Sequence, residues 1–260
     1  MYFLEKVMEN DRTQIWSCGG GVQSTAIAAL ICLGELKPDL AVISDTEREG
    51  SATWAYLDNY IIPSLQKVNI ILHRIKKSDY ATVDLFGGKE KQDLLIPVHF
   101  VTDGKPGKLP IFCSNEWKTR VIHRWASDQG VKKADIWIGF TIDELKRVKT
   151  PIGKWQHKFP LIEKRMTRGD CIALADRMGW PEPPRSSCWM CPNRTHTDWR
   201  WLKENSPADF IKAIEFEKEI RKHDPDFYLT DKMTTLDNAD LSKEDDLFDT
   251  GKCDSGMCFV

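Results

Sequence analysis

Short apolar runs alternate with longer mixed segments along the first half of the chain. Gln14-Ile15-Trp16-Ser17-Cys18 reads as a buried strand, three glycines follow, and an alanine-rich stretch from Ser24 to about Leu36 reads as a helix. Pro38 separates this helix from a second strand, Leu40 to Ser44, which ends at Asp45-Thr46 and leads into a helical pattern around Thr53 to Lys67. A third strand is expected from Asn69 to Ile75, and Ile136 to Phe140 supplies a further one. Strands of this kind, apolar and alternating with helices, predict a doubly wound, mostly parallel, Rossmann-like α/β sheet with its ligand at the strands' carboxyl ends.

The later pattern is less regular. Between Gly87 and Pro110, glycines and prolines predict a long loop and a lid over the site. The proline-rich segment Gly179 to Pro192 carries Cys188 and Cys191 and reads as a docking segment shaped by packing or ligation. Ser206-Pro207 opens a helix that continues to Lys222. The expected division is a nucleotide-binding α/β domain over residues 1–165, a helical cysteine-bearing region over 166–230 and an acidic tail over 231–260.

Composition narrows the class. The 260 residues are 41% hydrophobic and 29% charged, with a net charge of −2, so any nucleic-acid contact must use a local patch. Met1 to Asn10 carries Glu5, Lys6 and Glu9 and has no signal-peptide core, and the apolar run Ala26 to Leu33 is too short to span a bilayer. A cytoplasmic protein with no membrane partner is expected. Eight cysteines without an export signal point to metal, cluster or redox chemistry more than to disulfides.

The chemistry starts at Ser17-Cys18-Gly19-Gly20-Gly21-Val22-Gln23-Ser24-Thr25, where a strand hands over to a helix. Main-chain N–H groups and a helix N-terminus converge there on an anion, and Ser17, Ser24 and Thr25 add hydroxyls. A tight turn without a ligand is the plainer alternative. No Gly-Lys-Ser/Thr follows, so this is not a Walker loop.

The loop resembles the PP-loop family of adenine-nucleotide enzymes, whose Ser-Gly-Gly-x-Asp-Ser pattern is written here Gly19-Gly20-Gly21-Val22-Gln23-Ser24. Gly19 replaces the serine and Gln23 the aspartate. Asp45-Thr46 resembles the family's Asp-Thr-Gly element for the adenosine part, with Glu47 in place of the glycine. Further matches run through Cys113 to Arg120 (Cys-Ser-Asn-Glu-Trp-Lys-Thr-Arg), Gly139 to Glu144 with Arg147, and Pro160-Leu161-Ile162. The ordered set is similar to the branch holding phosphoadenosine phosphosulfate (PAPS) reductases and the iron–sulfur ATP pyrophosphatases of DNA phosphorothioation.

The resemblance implies a soluble enzyme that binds ATP or PAPS, with Mg²⁺, and acts at the α-phosphate in sulfur transfer or nucleic-acid modification. Lys118, Arg120 and Arg147 are the candidate anion-holding cations, because a guanidinium fork matches phosphate oxygens; ordinary solvated cations are the alternative. Asp143 and Glu144 assist a metal or merely open a helix. Implied partners are an adenine nucleotide, a nucleic-acid acceptor or a sulfur-donor protein, and a second copy of the chain.

Cys188 and Cys191 are spaced to chelate one metal, and Cys113 and Cys171 are the natural further ligands of a four-sulfur site. In the resembling iron–sulfur members four cysteines hold a [4Fe–4S] cluster, with zinc the rival ion. Cys18 and Cys32 read as small buried hydrophobes. Cys253 and Cys258, next to Lys252, are candidate tail nucleophiles, as in the sulfonucleotide reductases. The rival functions are therefore ATP pyrophosphatase, PAPS reduction by a tail cysteine, and a nucleotide-binding partner without turnover. Of the ten tryptophans, Trp117, Trp125, Trp189, Trp199 and Trp201 fall near the proposed site, one or two of them suited to stack a base.

Overall fold

The computed structural model describes residues 12–87 and 93–242. The chain runs β1 (Thr13–Ser17), α1 (Val22–Cys32), β2 (Leu40–Asp45), then α2 (Ser51–Tyr56) and α3 (Ile62–Lys67) joined by a π-helical turn at Leu57–Ile61. β3 (Leu72–Lys76) and α4 (Lys77–Tyr80) come next, followed by four short strands, β4 (Phe86–Gly87), β5 (Asp93–Leu94), β6 (His99–Thr102) and β7 (Lys105–Lys108). A second π-helical turn, Asn115–Thr119, runs into α5 (Arg120–Asp128). β8 (Ala134–Trp137), a 3-10 segment at Ile142–Arg147, β9 (Trp155–Lys158), α6 (Pro160–Glu163) and α7 (Arg168–Arg177) follow. The chain ends its described course in α8 (His196–Asn205), α9 (Pro207–Ile220) and β10 (Phe227–Tyr228).

Five strands form the central sheet in the order β3-β2-β1-β8-β9, and every neighbouring pair is parallel. Alternation along the strands sorts the side chains between two cores. Trp16, Ala41, Ile43 and Trp137 pack with α1, α7 and the α2–α3 stretch, whereas Ile15, Val42, Ala134 and Ile136 pack with Ile122 and Trp125 of α5. Residues Ser24 to Ile31 of α1 are all buried, because α7 covers the side that the sheet does not. An apolar helix without a polar face needs such cover on both sides.

A third core joins Leu94, Leu95, Ile96 and Val98 to Trp117, Met190, Trp199, Leu202, Phe210 and Leu229. It gives the expected loop after Gly87 a different form. β6 and β7 make a hairpin, and β10 adds to β6 on its other edge. None of the described residues 93–112 lines the large cleft, and this stretch packs into the third core.

The proline-rich segment does dock. Tyr56 Oη donates to the Pro181 carbonyl, Gly50 N–H to Ser187 O, and Trp189 N–H to Arg48 O at 2.8 Å. These bonds fasten residues 181–189 across the loop that leaves β2. His99 Nε2 lies 3.1 Å from Pro192 O and ties the hairpin to the same segment.

Candidate active site

A cleft of about 1020 Å³ opens at the carboxyl ends of β1, β2 and β8. It stands where the chain, having wound outward from β1 through β2 and β3, returns to the other side of β1. That switch point leaves adjacent loops diverging, and α/β sheets place their ligands there.

The glycine loop forms its floor. Gly20 sits at φ +76°, and a Cβ on it would come within 2.6 Å of Thr53 Cγ2. Glycine alone satisfies both conditions. Gly19 N–H donates to Ser24 Oγ at 2.7 Å, which pins the loop to the first turn of α1. Gly21 begins that helix without a side-chain cap, and no acidic residue occupies the first turn. The orphan N–H groups at this end of α1 therefore face the cleft with the positive end of the helix dipole. Gly139 brings the loop after β8 close, since its Cβ would stand 3.1 Å from Gln23 Cβ.

Gln23 donates its amide to Glu144 Oε2 at 3.0 Å. Glu144 belongs to a capping box with Thr141 and pairs with Arg147, whose guanidinium lies 4.1 Å from the Phe140 ring centre. The Glu144 carboxylate thus stands beside position 23. Asp143 accepts the Arg168 N–H at 2.7 Å and so holds the start of α7.

Lys118 is presented by its neighbour. Trp117 is buried, its ring N–H donates to Asp84 O, and its own carbonyl accepts from Ser44 Oγ at the end of β2. The next side chain lines the cleft with Nζ 3.8 Å from Glu49 Oε2. Glu49 is buried and accepts from Ser186 Oγ at 2.9 Å and from Thr53 Oγ1 at 3.3 Å. Ser186 Oγ also reaches the Gly19 carbonyl, so the docking segment touches the glycine loop itself.

The cleft's other end is apolar, built from Ile122, Ile136 and Ile138 with His123 and His157. Burial, reinforced by His157 and Lys154, pushes the His123 pKa down to about 4. Burial also lowers His157, against the opposing effect of its bond to Lys149 O. Both imidazoles are neutral at pH 7. His123 stacks on Trp155 with ring centres 4.9 Å apart.

Among the expected site residues, Ser17, Gly19, Gly21, Gln23, Ser24, Lys118 and Arg147 line the cleft, and Gly20 shapes the loop behind it. Thr25 is buried one position further into α1. Asp45 and Thr46 stand outside the lining. Asp45 is held by Arg74 at 2.6 Å, and Thr46 Oγ1 lies 3.4 Å from Cys188 Sγ. Arg120 is also outside it, with its side chain 51% exposed and paired to Glu116. Cys253 and Cys258 fall outside the described residues. Sequence reasoning did not single out Glu49, His123, His157, Ser186 or Arg194, because each belongs to the cleft through the fold and not through a motif.

A cluster or a zinc ion held by four sulfurs needs all four thiolates around one point. The fold places Cys171 in a different core from Cys113 and Cys188. Cys171, fully buried on α7, packs into the core around α1, and burial pushes its thiol up to about 12, with Asp170 and Glu144 adding to the effect. Cys113 and Cys188 pack against the third core. Among the described residues no group of three or more His, Cys, Asp or Glu is arranged to hold a metal ion. Cys171 therefore does not join Cys113 and Cys188 at one point in this structure, and no chemical step below passes through a four-cysteine site.

No family profile matches the chain, and a search of curated proteins gives no match. Solved structures similar to it include the phosphoadenylyl-sulfate (PAPS) reductase from Candida auris in its phosphate complex. That likeness has 13% identity and a TM-score of 0.43, over 68% of this chain and 81% of that one. The U34-tRNA thiolase NcsA from Methanococcus maripaludis with its [4Fe-4S] cluster is similar at 14% identity and a TM-score of 0.41, over 80% of this chain and 71% of that one. The chain itself is an α/β protein with a central five-stranded parallel sheet and flanking helices. Among its described residues no helix is long and apolar enough to cross a membrane.

Proposed function

We propose that the chain is an enzyme that binds ATP in this cleft and transfers its adenylyl group, releasing pyrophosphate. One observation carries the reading: the uncapped start of α1 and its glycine loop open into a cleft at the sheet's switch point. The aromatic base takes the apolar end between Ile122, Ile136 and the neutral imidazoles. The phosphates then run along the loop.

In the reaction a nucleophilic atom of the acceptor attacks the α-phosphorus, a new bond to phosphorus forms, and the bond to the bridging oxygen of the β-phosphate breaks. Pyrophosphate leaves with that bonding pair. Such displacement depends on positioning and charge neutralisation, here by the loop N–H groups, Lys118 and Arg147. A Mg²⁺ bound with the phosphates would find a hard oxygen ligand in Glu144 on the cleft wall and would withdraw charge from the phosphates. Trp201 stands 41% exposed on the cleft wall, suited to stack a base of a nucleic-acid acceptor.

Pyrophosphate release from ATP by the purified chain, with and without single-stranded RNA or DNA, tests the reading. Release is expected, and it should persist in the double variant Cys253→Ser/Cys258→Ser. No release under either condition makes the chain a nucleotide-binding partner without turnover. PAPS reduction that is abolished by the double variant replaces the adenylyl reading with the reductase one.

A further inference from the structure

Arg194 is 7% exposed and lines the cleft. Its hydrogen bonds all go to main-chain carbonyls, Nε to Cys188 O at 3.3 Å and Nη2 to Ser187 O at 3.3 Å and Cys188 O at 3.2 Å. Among the described residues no carboxylate stands within ion-pair distance of it. Among the described residues Nη1 donates to no acceptor. The guanidinium also lies 5.5 Å from the Trp199 ring centre.

A cation buried without a counter-ion costs folding free energy, and chains rarely keep one where nothing anionic ever comes. Its neighbours offer no substitute. Asp198, the nearest candidate on α8, pairs with Arg185 and caps its own helix through Thr195. Glu49 is taken by Ser186, Thr53 and Lys118.

Its place along the cleft says which anion it awaits. Nη2 holds Ser187 O, and the preceding residue, Ser186, touches the glycine loop at Gly19 O. Arg194 therefore stands on the glycine loop's side of the cleft, tied to it through Ser187 and Ser186. We propose that Arg194 receives the pyrophosphate end of the bound nucleotide, holding the leaving group by the two free protons of Nη1. The proposal rests on the nucleotide reading above and assigns the charge that this reading leaves without a partner. A guanidinium keeps its charge throughout, so the hold persists after the bond to the α-phosphorus breaks.

Calorimetric titration of wild type, Arg194→Met and Arg194→Lys with pyrophosphate, ATP and AMP tests it, each variant first checked by thermal melting. Arg194→Met should weaken pyrophosphate and ATP by about tenfold to a hundredfold and AMP by less than about twofold. Arg194→Lys should fall between, since it keeps the charge and loses the fork. Pyrophosphate affinity unchanged in Arg194→Met overturns the proposal and leaves the nucleotide reading standing. Failure of wild type to bind ATP, AMP or pyrophosphate overturns both. Should Arg194→Met not fold, wild-type crystals soaked in pyrophosphate decide: the anion within hydrogen-bond reach of Arg194 supports the assignment, and the anion elsewhere in the cleft overturns it.

Discussion

Gly20 carries two constraints at once, a left-handed φ of +76° and a 2.6 Å approach to Thr53 Cγ2. An alanine there meets both, so Gly20→Ala should destabilise the chain by about 1–3 kcal/mol, read as a lower urea midpoint. Adding Thr53→Ser removes the colliding methyl group while keeping the hydroxyl that bonds Glu49. The double variant should regain part of the loss and not all of it, because the backbone strain stays. An unchanged midpoint in Gly20→Ala would show that the loop does not adopt this geometry. At the same scale, the glycines and Lys118 were legible in the sequence because local spacing defines them. Cys171 and Arg120 were not, since burial against α1 and a surface pair with Glu116 depend on neighbours distant in the fold or on helix phase. Arg194 carried no motif, and what marks it out is burial on the cleft wall with no carboxylate within ion-pair distance among the described residues.

Elements meet through a few buried polar ties, and Asp209 makes one of them. From the first turn of α9 its carboxylate accepts the Ser51 N–H at 2.7 Å and so satisfies the start of α2. Burial alone would raise this carboxyl. The bonds from Ser51 and the ion pair with Lys212 outweigh burial and hold it below the ordinary 3.8. A depressed pKa of this kind contributes stability above pH 3.8 that is lost as pH falls through the lower folded value. Asp209→Ala should therefore cost about 1–3 kcal/mol at pH 7, with the gap to wild type closing toward pH 3 in urea melts taken down the pH scale. An equal gap at both ends would assign the loss to packing. Elements of the central sheet were readable from apolar runs, although β3 starts at Leu72 and not at the expected Asn69. β9, Trp-Gln-His-Lys, was not readable: it is a half-buried edge strand whose pattern is polar, and it exists because β8 offers it a partner. The β6–β7 hairpin hid for a related reason, its strand Lys105–Lys108 containing both a proline and a glycine.

On the scale of the whole molecule, two bodies of packing share one cleft. α7 and Trp180 belong to the core around α1, and the chain after Pro181 crosses the loop mouths to build the third core with Trp117 and α8. Residues 184–194 are thus both a wall of the cleft and the strap between the cores, fastened through Ser186 to Gly19 and Glu49 and through Trp189 to Arg48. Strap segments held by few bonds open locally at lower free energy than the cores they join. A ligand that touches the glycine loop and Arg194 together bridges the strap to the sheet and should suppress that opening. Hydrogen–deuterium exchange with saturating ATP should then slow by about tenfold or more at both residues 19–25 and 184–194. Exchange at β6 and β7, which share the third core but line none of the cleft, should stay as it was. Protection confined to residues 19–25 would mean that the nucleotide binds without engaging the strap. Slowing spread evenly over the hairpin as well would mean global stabilisation, and the cleft would then not be the place where the two bodies are coupled.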